Sequence, residues 1–256
     1  MNEVIGELPT LLVVYIPPFI RVASAVVFLP GLGEASIPTM LRVGIALVMS
    51  LVLVPTMQMA LPHQGGAYTI SLSVVISEML IGLWFGWLAR LVATTLSVAG
   101  QYIGYLIGLS NILQTDVDPA IQSGALGVLF GMAAPAIFLA SGLYRVELRS
   151  LANLFDIIPV GHMLPPGDGA IESISAVVAM FRLAVQFASP FILLSILWNI
   201  LIGQMARVGG RMQIYFVSFP GQILVGIGLL LICFEPILVA WRQFSEWYLA
   251  NPPGGH

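Results

Sequence analysis

Long apolar runs with few charges, separated by short polar segments, dominate the chain. Six runs approach or exceed the ~20 residues that cross a bilayer as a helix, and they cover 11–29, 38–61, 70–109, 124–143, 174–203 and 214–241. The third run is about twice that length, so it is either two helices or one long bent helix. The pattern predicts an all-α integral membrane protein.

Prolines and charged residues interrupt these runs, whereas helices surrounded by lipid contain few such residues. Freed backbone groups and charges at membrane depth need protein or water as partners. The interruptions are therefore typical of kinks buried inside a helical bundle, and equally of helices that never face lipid. They are Pro17-Pro18 and Arg21 in the first run, Pro55 in the second, Glu78 and Arg90 in the third, Pro135 in the fourth, Arg182 and Pro190 in the fifth, and Glu235-Pro236 in the sixth.

The longest connection, 144–172, divides into two parts. Its first half has apolar residues at helical spacing, which predicts an amphipathic helix lying on an interface. Its second half, VGHMLPPGDG at 160–169, predicts a turn-rich loop. The apolar positions of the first half are Leu148, Leu151, Leu154, Phe155 and Ile158, and its polar positions are Arg145, Glu147, Arg149, Asn153 and Asp156.

Composition narrows the class further. Hydrophobic residues make up 59% and charged residues 8%, with a mean hydropathy of +1.00, whereas a soluble domain needs more charge to keep its surface wet. All nine cations are arginine, so P-loop and Schiff-base lysines are excluded. The net charge of −3, without a basic block, argues against nucleic acid as a partner. Isolated histidines and the lone Cys233 suggest neither a metal site nor a cofactor.

Charged residues inside the runs need partners. Glu78 and Arg90 are separated by about 18 Å and about 120° on one straight helix, so they cannot pair with each other there. Each is expected to pair with another helix or subunit; the alternative is direct participation in proton or substrate movement. Arg21 and Arg182 raise the same question, while Arg42 lies near a helix start and can extend to the interface.

Glycines recur at four-residue spacing in the third run. This spacing keeps them on one slowly drifting helix face, where another backbone can approach closely. Tight helix packing is the favoured interpretation, and lining of a conduit is the alternative. The glycines are Gly82 and Gly86, followed by Gly100, Gly104 and Gly108.

A polar segment follows the glycine stripe, with Asn111, Gln114, Asp116 and Asp118 before Pro119. It is either a solvated turn or a loop held inside a water-accessible channel, since non-helical backbone at membrane depth must be buried in protein or line water. The nearby Ser110 has no histidine at helical spacing, and no other catalytic arrangement is evident. The protein is not expected to be an enzyme.

The short basic segment GQMARVGGRMQ, at 203–213, carries Arg207 and Arg211 without an acidic residue. Such loops favour the cytoplasmic side of a membrane.

Several stretches in this order resemble one family of secretion proteins. They are Arg21 followed by FLPGLGEASIPTMLRVGIAL, then SEMLIGLWFGWLAR, AGQYIGYLIGLSNILQTDVDP, LRSLANLFDIIPVG and MARVGGRMQIYFVSFP. The chain as a whole resembles the R-type subunits of the flagellar export gate (FliR) and their T-type counterparts in injectisomes. The family's usual Pro-Gln pair is replaced by Gly210-Arg211, which puts the form of that turn in doubt.

The resemblance implies a fold of kinked helical hairpins. A P-type-like portion, 1–170, would be followed by a Q-type-like helical hairpin and tail, 171–256, within one integrated membrane domain. It also implies a plug loop at about 109–122 inside a pore. The plug residues would include Leu109, Ser110, Asn111, Ile112, Leu113, Gln114, Thr115, Asp116, Val117, Asp118 and Pro119.

The same resemblance implies a function and partners. With P-type and Q-type subunits (FliP and FliQ), the chain would form the export pore for unfolded proteins in the bacterial inner membrane, within the flagellar basal body. Further expected partners are an FlhB-type switch protein near Arg207 and Arg211, an FlhA-type export protein and rod proteins. An injectisome T-type subunit and an unrelated secondary transporter or channel are the alternatives.

Overall fold

The structure, a computed structural model, describes residues 2–57, 71–109, 124–163, 166–205, 207 and 211–251, with the backbone alone at 2–13, 55–57, 166 and 211–217. Across these ranges the chain forms helices and connecting turns without a strand, which confirms an all-α membrane protein. The helices are α1 (Asn2–Val26), α2 (Thr39–Met57), α3 (Leu72–Leu106), α4 (Ala125–Ala140), α5 (Leu143–Ile157), α6 (Pro166–Met205) and α7 (Arg211–Ala250).

The long third run forms one continuous helix. α3 contains 35 residues, so the run is a single element and not two. The predicted loop at 160–169 is shorter than expected, because α6 already begins at Pro166. Proline suits the first position of a helix, where its fixed φ is compatible and no backbone donor is needed. The prediction that residues 167–169 belong to the loop is therefore wrong.

Within the described part of the chain, three helices are long and apolar enough to cross a membrane, at Leu72–Leu106, Gly167–Met205 and Ser218–Ala250. α4 and α5 form a pair bent by 76°. Gly142 lies at this break with a φ of +79°, a backbone conformation that glycine adopts without a steric penalty. The amphipathic α5 is not one of these three helices.

The described contacts group the chain into two compact units. The first combines Met1–Leu91, Ile137–Ala176 and Glu246–His256, and the second combines Val92–Ala136 and Val177–Ser245. The boundaries fall inside helices α3, α4, α6 and α7, and none falls at residue 170. The division into 1–170 and 171–256 stays a prediction.

In the second unit, α6 and α7 pack against the C-terminal part of α3. The Gln222 amide donates a hydrogen bond to the Leu106 carbonyl (2.9 Å), and the Trp241 indole donates one to the Val92 carbonyl (3.0 Å). These two bonds show that α7 runs antiparallel to α3. A Cβ added to Gly221 would lie 3.2 Å from the ring of Trp198. α7 therefore also contacts α6 near their connection.

Candidate functional site

A buried ion pair joins α1 and α3 in the first unit. Arg21 donates from Nε to Glu78 Oε2 (2.6 Å) and from Nη2 to Glu78 Oε1 (3.0 Å). Both side chains are 0% exposed. This bidentate geometry matches the planar guanidinium to the carboxylate, and it is the form in which a buried charge pair is best compensated.

Groups in the last turn of α5 and just beyond it also contact the Arg21–Glu78 pair. Arg21 Nη1 donates to the Ile158 carbonyl (2.8 Å), and its guanidinium lies 4.2 Å from the centre of the Phe155 ring. The Gly161 N–H donates to Glu78 Oε1 (2.9 Å). The Arg21 cation therefore satisfies a carbonyl beyond the last turn of a helix, where unpaired acceptors and partial negative charge gather. We call these five residues the Arg21 cluster.

The geometry of the Arg21 cluster indicates a structural role. Its charges are fully buried and bonded to one another, so they fix α1, α3 and the end of α5 in one arrangement. The sequence predicts that Arg21 and Glu78 are intramembrane charges that need partners, and the structure shows that they pair with each other.

Arg90 pairs with Glu34, in the connection between α1 and α2. Arg90 Nη1 contacts Glu34 Oε1, and Nη2 donates to Oε2 at 3.3 Å. The side chains are 35% and 25% exposed. Arg42 donates to the Glu34 carbonyl (2.5 Å), so it reinforces the same connection.

Gly82 and Gly86 bring the backbones of α1 and α3 together. A Cβ on Gly82 would collide with the Arg21 carbonyl and the Ser24 hydroxyl, and a Cβ on Gly86 would lie 2.5 Å from the Ala25 carbonyl. Both contacts are closer than a methyl group allows. The Arg21 cluster thus lies beside a helix crossing that only glycine permits.

The later glycines differ from one another. A Cβ on Gly100 would lie 2.6 Å from the Leu126 carbonyl of α4, and Gly104 is buried within α3. Gly108 lies beyond the end of α3 with a φ of +84°. The prediction that it continues the packing stripe within the helix is wrong, because it terminates α3 in the left-handed conformation that commonly ends helices.

The predicted plug lies almost wholly outside the described residues. Leu109 is half-buried directly after Gly108. Residues 110–122, including Ser110 to Pro119, lie outside the described part of the chain, so the plug stays a prediction.

The remaining predicted charges do not belong to the Arg21 cluster. Arg182 is exposed near the middle of α6 and has no ion-pair or hydrogen-bond partner among the described residues. Arg207 is exposed in the turn between α6 and α7. Arg211 begins α7, where the backbone alone is described.

Glu147 was expected on the polar face of α5, and that expectation is wrong. Its side chain is 0% exposed, and neither carboxylate oxygen has a hydrogen-bond partner among the described groups. Its distance of four residues from both Leu143 and Leu151, which are buried, could have revealed this position. Burial raises the pKa of Glu147 well above 4.5, because removal from water disfavours the charged form.

Three contributors to the ion pairs were not identified from the sequence. Glu34, Phe155 and Gly161 reach their partners from connections or helix ends distant along the chain. Nothing in local spacing indicates these contacts. An acidic residue in an otherwise apolar connection, as Glu34 is, was the one available signal.

An apolar cavity of about 350 Å³ lies in the first unit. The Trp84 indole donates to the Ser173 hydroxyl (3.1 Å) at its wall. Its other lining residues are Ser77, Leu80, Ile81, Met163, Gly169 and Ala170. The described lining residues carry no charged side chain, so this part of the cavity wall offers mainly apolar contact area.

Comparison with known proteins places these features in a family. The sequence pattern of bacterial export proteins, family 1, matches residues 12–246. A flagellar biosynthetic protein FliR from Caulobacter vibrioides is 31% identical, covering 88% of this chain and 90% of the relative. The FliR of Bacillus subtilis is 25% identical over 95% and 93%, and the secretion system apparatus protein SsaT of Salmonella typhimurium is 25% identical over 84% and 85%. The chain belongs to the bacterial export proteins, family 1.

Proposed function

We propose that this protein is the R-type subunit of a flagellar type III export gate. With P-type and Q-type subunits (FliP and FliQ) it forms the pore for unfolded substrate proteins in the bacterial inner membrane, at the flagellar basal body. The observation that carries this proposal is the family match over nearly the whole chain, with a relative named as a flagellar biosynthetic protein at 31% identity.

The exposed apolar surface of α2 supports a role within an assembly. This helix buries Ala46, Ser50 and Val54 and exposes apolar side chains elsewhere, including Met40 (89%) and Val52 (67%). Apolar patches of this extent need a cover. Neighbouring export subunits supply that cover in the proposed gate.

Purification in mild detergent tests the proposal. The tagged chain should co-purify with P-type and Q-type subunits when all three are expressed together. Recovery as a lone chain or a small homo-oligomer would instead favour a secondary transporter or channel.

An injectisome T-type role is the second candidate. It is supported by relatives named secretion system apparatus protein SsaT, at 25% identity, and surface presentation of antigens protein SpaR, at 23%. Expression of the chain in a flagellated species made non-motile by deletion of its own FliR distinguishes the two. Restored swimming supports the flagellar role, and failure with intact co-purification supports the injectisome role.

Within the same proposal, residues 109–122 seal the resting pore. Gly100 supports this placement because it lets α4 approach the backbone of α3, shortly before the segment begins. The polar residues would face water inside the passage, where Asp116 and Asp118 avoid the lipid phase.

Replacement of 109–122 by a Gly/Ser segment of equal length tests the seal. The gate assembled with this variant should admit more small solute and ions at rest than the native gate. Co-purification of the P-type and Q-type subunits controls for assembly. A resting leak equal to that of the native gate would refute the seal.

We further propose that the turn at Arg207 and Arg211 lies at the cytoplasmic mouth and binds the FlhB-type switch protein. The exposure of Arg207 supports this placement, as does the bias of arginine toward cytoplasmic loops. The FlhA-type export protein and the rod proteins are further partners in this proposal.

A further inference from the structure

The α6–α7 hairpin contains two uncharged runs of equal length. Residues 183–205 of α6 and 212–234 of α7 each form 23 consecutive positions without a charged side chain. At one end they are flanked by Arg182 and Glu235, and at the other by Arg207 and Arg211. We call the two runs together the hairpin tip.

Arg182 and Glu235 lie at the same level along the hairpin. The contact of Gly221 with Trp198 pairs the two antiparallel helices in register. Counted from that contact, Glu235 is level with Ala184, about 3 Å along the axis from Arg182.

A second set of contacts supports the same level. Met180 of α6 accepts a hydrogen bond from Thr94 of α3 (3.5 Å), and Trp241 of α7 donates to Val92, two residues away (3.0 Å). Arg182 lies two residues from Met180 and Glu235 six from Trp241, both toward the connection. The two charges again come within about 3 Å of the same level.

Both charges face outward. On α6, Arg182 lies on the side opposite the buried Ala184 and Phe191. Glu235 is exposed on α7, and neither charge has an ion-pair partner among the described residues. Together they mark one level on the outer surface of the hairpin.

The outer surface of the hairpin tip is apolar. Leu231 is 75% exposed and Leu224 is 72% exposed. The other large exposed apolar side chains of the tip include Val185, Leu193, Ile196, Leu197, Ile200, Leu201, Val225 and Ile232.

Several polar side chains of the tip form hydrogen bonds within the protein, whereas the buried indole N–H of Trp198 has no hydrogen-bond partner among the described groups. Asn199 donates to the Ser195 carbonyl (2.8 Å), Ser189 to the Gln186 carbonyl (2.7 Å), and Gln222 to Leu106 (2.9 Å). Such bonds compensate polar groups that have no water to bond.

We propose that lipid covers the outer surface of the hairpin tip and that Arg182 and Glu235 mark its boundary with water. Each run is about 34 Å long as a helix, close to the ~30 Å hydrocarbon core of a bilayer. Arg207 and Arg211 place the connecting turn on the cytoplasmic side. The inference depends on the spacing of charges and the exposed apolar surface, and it does not require the pore role.

Lipid-borne quenching tests this boundary. Single cysteines are introduced at Leu197 and Leu231 within the tip, in a Cys233→Ala background. Val178 and Val239, one helical turn beyond Arg182 and Glu235, are the matched controls because they are exposed aliphatic residues of the same helices. The co-purified complex carries a fluorescent label at each cysteine and is reconstituted in phosphatidylethanolamine and phosphatidylglycerol vesicles with brominated acyl chains.

Quenching at 197 and 231 is expected to exceed that at 178 and 239 at least three-fold. Absence of quenching at 197 and 231, or equal quenching at all four positions, would overturn the proposal. A membrane-impermeant maleimide then separates the causes of absent quenching, since labelling at 197 and 231 shows water, and lack of labelling shows cover by another protein. Tip quenching in a chain that does not restore swimming would contradict the flagellar role and leave the lipid boundary intact.

Discussion

Two buried ionisable residues, Arg21 and Glu147, differ in how the cost of removing a charge from water is met. Arg21 removes the cost of its burial by bonding to Glu78 and to the Ile158 carbonyl. Glu147, equally buried, has no hydrogen-bond partner among the described groups. Because an unpartnered carboxylate is costly away from water, Glu147 is expected to be neutral.

Removing one partner of the Arg21 cluster should be more damaging than removing both. Arg21→Met leaves the Glu78 carboxylate uncompensated and should cost about 3–5 kcal/mol. The double variant with Glu78→Met should recover at least half of this loss. The measurement is thermal unfolding of the purified complex in detergent.

Arg90→Met is the matched control. Its pair with Glu34 is partly exposed, so the loss should stay at or below about 1 kcal/mol. A double variant as unstable as Arg21→Met alone would contradict the assignment of the Arg21–Glu78 pair.

Glu147 should make stability depend on pH. Its folded-state pKa is raised, so unfolding releases a proton at pH values between about 4.3, the usual pKa of an unfolded glutamate, and the folded value. Stability should therefore fall as pH rises through that window. Glu147→Gln should flatten the slope and raise the unfolding temperature at pH 8.

The exposed acid Asp156, on the same helix, provides the control. Asp156→Asn should keep the native pH slope, measured by thermal unfolding between pH 5 and 8. An unchanged slope in Glu147→Gln would show that this carboxyl does not produce the effect.

Among the helices, glycine decides where two backbones touch. Gly82 and Gly86 allow α3 to lie on α1, and Gly100 allows α4 to lie on α3. Gly108 instead ends α3. Equal four-residue spacing therefore has two structural outcomes, depending on whether the helix continues through the last glycine.

Gly86→Ala should destabilise the α1–α3 crossing. The added methyl group would lie 2.5 Å from the Ala25 carbonyl, and overpacking of this kind costs about 1–3 kcal/mol. Thermal unfolding and the yield of assembled complex report the loss.

Gly44→Ala in α2 is the matched control, because nothing lies within 4 Å of its Cβ position. A helix interior gains about 0.5–1 kcal/mol from this replacement. Equal stability of the two variants would argue against the close α1–α3 approach.

The elements were largely predictable, and their partners were not. Hydropathy identified α3 and the amphipathic α5, because helix length and periodicity are local properties. The pairing of Arg90 with Glu34, 56 residues away, depends on tertiary packing that no local pattern contains. For Glu147 the polar side chain predicts the solvent-facing side of α5, whereas its spacing from Leu143 and Leu151 indicates the buried side, which the structure shows.

At the scale of the whole molecule, four helices contribute to both compact units. Separately, α2, α6 and α7 expose many large apolar side chains. These surfaces require lipid or other subunits as cover. The proposed gate and the proposed lipid boundary assign these covers to different surfaces.

Replacing Arg207 and Arg211 by alanine should weaken recovery of the FlhB-type protein several-fold in a pull-down from detergent. Loss of two cationic groups removes attraction to an acidic or carbonyl-rich partner surface. The double replacement of Arg145 and Arg149, exposed on α5, keeps the charge change equal and should leave recovery unaltered. Equal recovery from both double variants would contradict binding at the turn.

The Arg21–Glu78 pair also constrains how the protein is synthesised. Arg21 leaves the ribosome 57 residues before Glu78, an interval of about 3–11 s at rates of chain growth of about 5–20 residues per second. During that interval the nascent first helix carries a cation whose counter-charge has not yet been translated. We therefore expect α1 to reach its final position only after α3 has been synthesised, because the buried cation has its counter-charge only from then on.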